Sequence, residues 1–547
     1  MQPLNAYPRP QMRRSSYLCL NGTWDFAVTK ADRPPERFPF SVSVPYPPES
    51  NASGYGKRIE ADDTMFYRRY FTLPEGFVKE RVLLHFGAVD QECEVYLNGT
   101  LLGAHKGGYF PFSFDITKQL LAQNELLVKA VDRLDHAYPW GKQKQRNGGM
   151  WYTPFSGIWQ TVWLESVPDV YLTGLRITPS LTSVRIELLD NVENNAETHL
   201  AIETPSGPLC WTFFGTAADV PIPNPVLWTP EKPYLYRMKI TRGEDTVESY
   251  FALRTLGIET VKGIPRLLLN GEPYFFHGLL DQGYWRDGIC LPPDNDGYER
   301  DILFAKSLGF NTLRKHIRVE PLPFYEACDR LGMIVFQDLV NNGPYRFFRD
   351  TALPTLGIKR KNDLRFHHDD RTVSLFQSSL MQTVKHLYNS PCIAYWTIFN
   401  EGWGQYNADG MYALLRSLDD TRIIDATSGW FWQKQSDVDS FHVYFRPFRE
   451  AAKTRPLVLS EFGGYAHASG KKQYGYRFYP TQEAYRGAVV KLYEQQIVPA
   501  VSKGLCAAIY TQISDVEQEQ NGLIDDTHTV PKVLPMDLLP IAEKLRL

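Results

Sequence analysis

Through roughly the first third of the chain, apolar and polar residues alternate in short runs, with turn residues about every 8–12 positions. Arg68–Thr72, Val82–Phe86, Cys93–Leu97, Leu126–Val131 and Gln160–Leu164 all read this way. A period of two places one apolar face on a core, so residues 1–168 are predicted to form an all-β sandwich. Asn98-Gly99, just after one such run, predicts a hairpin turn. A second β segment covers 169–258 and includes Ser183–Leu188 and Tyr234–Ile240. Its length fits one immunoglobulin-like sandwich, with the Pro-rich stretch Val220–Pro225 as an edge strand or connector.

From about residue 259 the grammar changes to apolar runs separated by helical stretches, the signature of parallel βα units. Eight strands are predicted near Tyr274–Gly278, Asn311–Arg314, Met333–Gln337, Ile393–Phe399, Ile423–Ala426, Phe441–Tyr444, Leu457–Ser460 and Cys506–Tyr510. Helical text lies between several of them, at Tyr298–Leu308, Pro323–Leu331, Thr372–Leu387 and Gln482–Gln496. Eight such strands in 259–547 predict a (β/α)8 barrel, with active-site groups expected where its strands end.

The net charge of −3 lacks the basic excess of a sequence-independent nucleic-acid binder. Aromatic residues make up 14% of the chain, which suits both sandwich cores and sugar sites, because a ring can stack on the C–H face of a pyranose. The 7 cysteines are scattered singly, the usage of a reducing compartment. With no apolar leader and no run long enough to span a bilayer, the expected location is cytoplasmic, with no membrane partner. A homo-oligomer is compatible with all of this.

Two strand ends carry a carboxylate directly after an apolar run. Ile393–Phe399 leads into Asn400-Glu401-Gly402-Trp403, and Leu457–Ser460 leads into Glu461-Phe462-Gly463-Gly464. Two carboxylates facing each other across a barrel mouth are what retaining glycoside cleavage requires. One attacks the anomeric carbon while the other, kept neutral, protonates the leaving oxygen. Trp403, Trp430 and Trp432 follow strands four and five, where rings can stack on sugar. The charge run Arg346, Arg349, Lys359, Arg360 and Lys361 reads as a solvated loop after strand three.

The motifs resemble glycoside hydrolase family 2, nearly end to end. They are Leu20–Phe26, Val95–Gly99, Ser156–Glu165, Leu227–Tyr236, Leu268–Gly278, Leu308–Arg314 and, most specific, Trp396-Thr-Ile-Phe-Asn-Glu-Gly-Trp-Gly404. The resemblance implies an N-terminal jelly roll, an immunoglobulin-like domain and a catalytic barrel. It also implies Glu401 as acid/base, Glu461 as nucleophile, Asn400 on the sugar 2-hydroxyl and Tyr444 on the nucleophile. Arg314, His316, Trp403, Trp430, His442, Gln512 and Asp515 are further candidate sugar contacts. The chain departs from the family's pattern at Arg314-Lys-His316, where the histidine comes one residue early, and at strand eight, where Tyr510-Thr511-Gln512 replaces a tryptophan. Phe336-Gln-Asp338 offers one carboxylate and no histidine, so no catalytic metal and no cofactor are expected. The implied activity is exo-hydrolysis of β-galactosides, with β-glucuronides next and β-mannosides or arabinosides behind. An inactive carbohydrate-binding protein on the same scaffold, and a transglycosylase, stay open as other classes.

Overall fold

A computed structural model describes residues 4–358, 362–366, 368–467 and 473–547. Lys359, Arg360 and Lys361 of the charge run lie outside the described residues. The predicted alternation resolves first into a jelly-roll sandwich of a four-stranded and a six-stranded antiparallel sheet. Along Asn124–Val131 buried and half-buried residues alternate without a break, so Leu126, Val128 and Ala130 enter the core and Lys129 does not. Asn98 and Gly99, with φ of 51° and 76°, turn Glu92–Leu97 into Thr100–Lys106.

Two further antiparallel sheets, of three and four strands, form the immunoglobulin-like sandwich. The Pro-rich stretch begins at the end of Ala217–Pro221, an edge strand, where missing N–H donors disrupt no ladder. A buried ion cluster joins the two sandwiches. Arg14 donates to Glu165 (2.8 Å), to Asp245 (2.7 and 3.0 Å) and to the carbonyl of Leu172 (2.7 Å), while Arg9 also reaches Glu165 at 2.6 Å.

The eight predicted barrel strands are all present. They are β1 (Phe276–Asp281), β2 (Thr312–Lys315), β3 (Ile334–Asp338), β4 (Ile393–Asn400), β5 (Ile423–Ser428), β6 (Asp439–Val443), β7 (Leu457–Gly463) and β8 (Leu505–Thr511). They pair in parallel in the order 5-4-3-2-1-8-7-6, a nearly closed barrel. At the remaining seam β5 meets β6 through the Asp437 amide on Ile424 O (2.9 Å) and through serine hydroxyls. Helices α1 (Gly297–Ser307), α2 (Leu322–Leu331), α3 (Asp370–Leu387) and α4 (Ala408–Leu418) follow β1 to β4 in turn. Helix α5 (Gln482–Leu492) follows β7, and α6 (Pro535–Lys544) closes the chain. No helix follows β5 or β6. The connections 429–438 and 444–456 are short, and the second contains two prolines, so neither accommodates a helix with its two turns.

One long irregular segment, residues 132–156, leaves the jelly roll and lies on the barrel mouth. Trp140 donates from its backbone to Asn341 O (3.2 Å) and from its indole to Gly343 O (3.2 Å). Its ring stacks on Trp151 at 5.5 Å and meets Trp403 edge-on at 5.0 Å. The seven cysteines are free thiols, and no helix among the described residues is long and apolar enough to cross a membrane.

Candidate functional site

Strand periodicity decides which groups of β2 enter the barrel. Arg314 and His316 point inward, while Lys315 between them points outward, to Asp281 (2.6 Å) and Glu320 (3.0 Å). Arg314 shares a register level with Phe336 and Tyr395, whose stacked rings (4.2 Å) form the floor beside it. Its guanidinium donates to Asp338 Oδ1 (2.9 Å), Asn400 Oδ1 (2.9 Å), Ser460 O (3.0 Å) and Glu461 Oε1 (3.0 Å). A rigid fork of donors is suited to linking four strands in this way. Burial would raise the Asp338 carboxyl, but Arg314 and His316 hold it at about 2. His316 is pushed down to about 3 by burial and Lys142, so it is neutral and donates Nδ1–H to Asp338 Oδ2 at 2.9 Å. Both oxygens of Asp338 are therefore engaged.

Glu461 is buried at the end of β7. Arg314 holds one oxygen and the Tyr444 hydroxyl donates to the other at 2.6 Å. Burial raises its carboxyl above the ordinary 4.5, and Glu401 adds to this; His442, Arg314 and Lys142 act against it. Burial and then Glu461 push the Tyr444 phenol far above its usual value, so it stays a donor. Its ring stacks on Tyr476 at 3.7 Å.

Glu401, just past β4, is the more open carboxylate, with a side chain 20% exposed against 6% for Glu461. Its φ of 54° is a strained value for a residue with a Cβ. The turn is held by its amide on Ser428 O (3.0 Å) and by the Trp430 indole on its carbonyl (2.9 Å). Gly402 follows at φ 73°, where a Cβ would come within 2.3 Å of the Phe431 ring. His442 lies between the two carboxylates, and one facing oxygen of Glu401, one of Glu461 and a ring nitrogen of His442 are all within 4.8 Å of one another.

The structure thus brings together Glu401, Glu461, Asn400, Tyr444, His316, Arg314, Trp430 and His442. Three candidates are placed otherwise. Trp403 is buried, donates to Gly343 O (3.0 Å) and packs edge-to-face with Trp140, Trp151 and Tyr345, so it is a wall and not an open stacking ring. Gln512 is buried and bonded to Gln282 at 2.8 Å. Asp515 is turned to Lys532 (2.5 Å) and the amide of Gly522 (2.9 Å). In the charge run, Arg349 is buried, pairs with Asp350 and donates to Gly402 O (3.1 Å), so it supports the turn after Glu401. Sequence reasoning missed Trp140, Trp151 and Lys142, which come from another domain. An irregular segment of this length, rich in tryptophan, was the available signal.

Three models of a single family match this chain in order. "Glycosyl hydrolases family 2, sugar binding domain" covers 36–168, "Glycosyl hydrolases family 2" covers 171–254, and "Glycosyl hydrolases family 2, TIM barrel domain" covers 260–524. The chain belongs to glycosyl hydrolase family 2. Among curated relatives, the β-galactosidase of Thermoanaerobacter pseudethanolicus is 27% identical over 320 residues, 54% of this chain and 42% of that protein. The β-galactosidase of Pectobacterium atrosepticum is 24% identical over 546 residues, 86% of this chain and 49% of that protein. The family 2 chain described here thus spans under half of the length of these two relatives. Among solved structures, a β-glucuronidase from an uncultured Clostridium sp. superposes with TM-score 0.75 at 18% identity, covering 100% and 99% of the two chains. A β-galacturonidase from Eisenbergiella tayi does so with TM-score 0.70 at 18% identity, covering 99% and 98%. Those likenesses show the shared three-domain fold.

Proposed function

We propose that this family 2 protein is a retaining exo-β-glycosidase, with Glu461 as nucleophile, Glu401 as acid/base and terminal β-galactosides as its first substrates. One observation carries the reading: two carboxylates across one barrel mouth, less than 5 Å apart, in unequal surroundings. Retaining enzymes hold their pair about 5–5.5 Å apart. Glu461, clamped by Arg314 and Tyr444, has the fixed orientation a nucleophile needs. Glu401, partly open to solvent, is placed to meet a leaving group and then a water.

In the first half-reaction a Glu461 oxygen bonds to the anomeric carbon while Glu401 gives its proton to the departing oxygen. In the second, Glu401 takes a proton from water, whose oxygen displaces Glu461 with overall retention. Asn400, its Oδ1 held by Arg314, offers Nδ2 to the sugar 2-hydroxyl, and neutral His316 offers Nε2 as an acceptor. The tryptophan wall contributed by 132–156 closes one side of the mouth, which favours chain ends over chain middles.

The galactoside preference rests on the named activity of the curated relatives and on charge. The loop after β8 brings Glu519 to the side of Tyr474 and Tyr476, and Glu519 accepts from Tyr152 at 2.5 Å. The Glu519 carboxylate there disfavours a carboxylated sugar. A β-glucuronide is the second reading, supported by Lys142, whose field is felt by both His316 and Glu461 and whose ammonium has no ion pair among the described residues. The test is hydrolysis of nitrophenyl β-D-galactoside, glucuronide, mannoside, glucoside and arabinosides, with Glu461→Gln as blank and the anomer of the first product read by NMR. Galactoside cleavage with β-product first supports the proposal. Cleavage of glucuronide alone, lost in Lys142→Met, replaces the sugar; α-product first overturns retention.

A further inference from the structure

Sequence reasoning placed His442 among the sugar contacts, yet its ring is wholly buried and both nitrogens are already engaged by protein. Nδ1 lies 2.7 Å from Glu401 Oε1 and 3.4 Å from Glu461 Oε2, and Nε2 lies 2.9 Å from Ser428 Oγ. The positions of the hydroxyl protons decide the tautomer. Ser460 Oγ donates to Phe441 O (3.2 Å) and therefore accepts from Ser428 Oγ at 2.9 Å. With the Ser428 proton directed there, Nε2 carries a hydrogen and donates to Ser428. Arg314 Nη1 stands 3.5 Å from Nε2, but its two hydrogens serve Ser460 O and Glu461 at 3.0 Å each. At Nδ1 a bare nitrogen facing a bare carboxylate at 2.7 Å would set lone pair against lone pair. That contact therefore holds a proton, on one atom or the other.

We propose that His442 is the proton partner of Glu401: the two groups carry one proton between them, and the ring keeps it at the acid/base, beside ionised Glu461, until the leaving oxygen takes it. The inference rests on the reading of Glu401 as acid/base. As the glycosidic C–O bond breaks and Glu461 bonds to the anomeric carbon, the pair's proton passes to the departing oxygen. In the second half-reaction water returns a proton to the pair as its oxygen displaces Glu461. The charged groups facing the ring are Glu401 beyond β4, Glu461 on β7 and Arg314 on β2. Asp425 on β5 stands behind the serines, and Tyr444 lies two residues along the chain. Outside the pair, ionised Glu461 at 3.4 Å from Nδ1 favours keeping the proton there, and Arg314 at 3.5 Å from Nε2 acts against it. His442 is thus a positioning residue that acts through Glu401.

The test compares pH profiles of kcat/KM for wild type and His442→Asn, using a methyl and a dinitrophenyl glycoside of the sugar the enzyme hydrolyses. Asn keeps a donor near the Nδ1 position but cannot titrate. The basic limb is expected to move down by about one pH unit or more, with the methyl glycoside losing more activity than the dinitrophenyl one. An unmoved basic limb with only KM raised makes His442 a sugar contact and overturns the proposal. A second measurement needs no variant: nitrogen NMR of the wild-type histidines should show Nε2 of His442 protonated across the active pH range. A neutral ring protonated only at Nδ1 overturns the proposal. Azide rescue of Glu401→Ala to the β-azide checks the underlying assignment separately. If rescue fails, the acid/base reading falls; if it succeeds while the basic limb stays fixed, only the pairing falls.

Discussion

Two buried charge clusters in this molecule are built from the same residue types and do different things. At the junction of the sandwiches, Arg9 and Arg14 face Glu165 and Asp245, two cations against two carboxylates, with Tyr7 and a backbone carbonyl as further partners. At the barrel mouth one arginine, Arg314, serves Asp338 and Glu461, while Glu401 stands opposite with a histidine. Burial would raise Glu165, but Arg9, His85 and Arg14 hold it at about 2, whereas burial leaves Glu461 above the ordinary 4.5. Buried charge by itself therefore does not mark a site. The mark is an excess of carboxylate over cation, with one member left open to solvent.

The largest test of that contrast is Glu461→Gln. It should lower kcat by about 10⁴-fold or more, with a melting temperature unchanged or raised, because a surplus anion is removed from a buried place. Residual turnover above about one per cent, with the fold intact, would take the nucleophile from this position. Glu401→Ala should cost about 10²- to 10⁴-fold on substrates with poor leaving groups and much less on activated ones, and azide should restore the latter as the β-azide. Formation of the α-azide would exchange the roles of the two carboxylates.

At the matched cluster the effect should fall on stability. Arg14→Met leaves Asp245 buried with only the Leu172 amide (2.9 Å), a loss of about 3–5 kcal/mol, read by denaturant unfolding. Folded variant should hydrolyse substrate at the wild-type rate. The pH dependence has a definite sign. A carboxylate held at about 2 against an ordinary 4.5 contributes stability that is complete above 4.5 and is lost as pH falls towards 2. Wild type should lose stability through that window, and Arg14→Met should lose less of it. An equal slope in both would mean that Arg9 alone holds Glu165.

Much of this was legible in the sequence, because strand periodicity and strand ends are local. The eight barrel strands read as apolar runs, and Glu401 and Glu461 read as carboxylates at two of their ends. Partners distant in sequence were not legible. Asp515 sits where a sugar contact was expected, yet Lys532, 17 residues on, takes its carboxylate. Trp403 follows Asn400-Glu401-Gly402 at the end of a barrel strand and looks like a stacking ring until Trp140 and Trp151 arrive from another domain to pack against it. The missing helix after β5 was legible in principle, since 429–438 is too short to hold one.

The smallest expected effect sharpens the contrast most, because it alters only one hydrogen bond. Tyr444 donates to Glu461 Oε2 at 2.6 Å and also lies 2.9 Å from Thr511 Oγ1. Tyr444→Phe removes that donor from a charged acceptor, worth about 1.5–3 kcal/mol, or about 10- to 100-fold in kcat/KM. The sign on pH follows from what remains. Glu461 is already raised above 4.5 by burial, so the acid limb of the wild-type profile should lie above 4.5. Without the phenol the ionised form loses a partner, and the limb should move to higher pH still. The junction carboxylate supplies the control: loss of Tyr7 from Glu165, which keeps two arginines, should leave activity and its pH profile alone. If Tyr444→Phe raises KM while the acid limb stays where it was, the tyrosine serves the sugar instead of the nucleophile. Glu461 would then be held at the mouth by Arg314 alone, a smaller set of donors than the cluster at the junction gives Glu165.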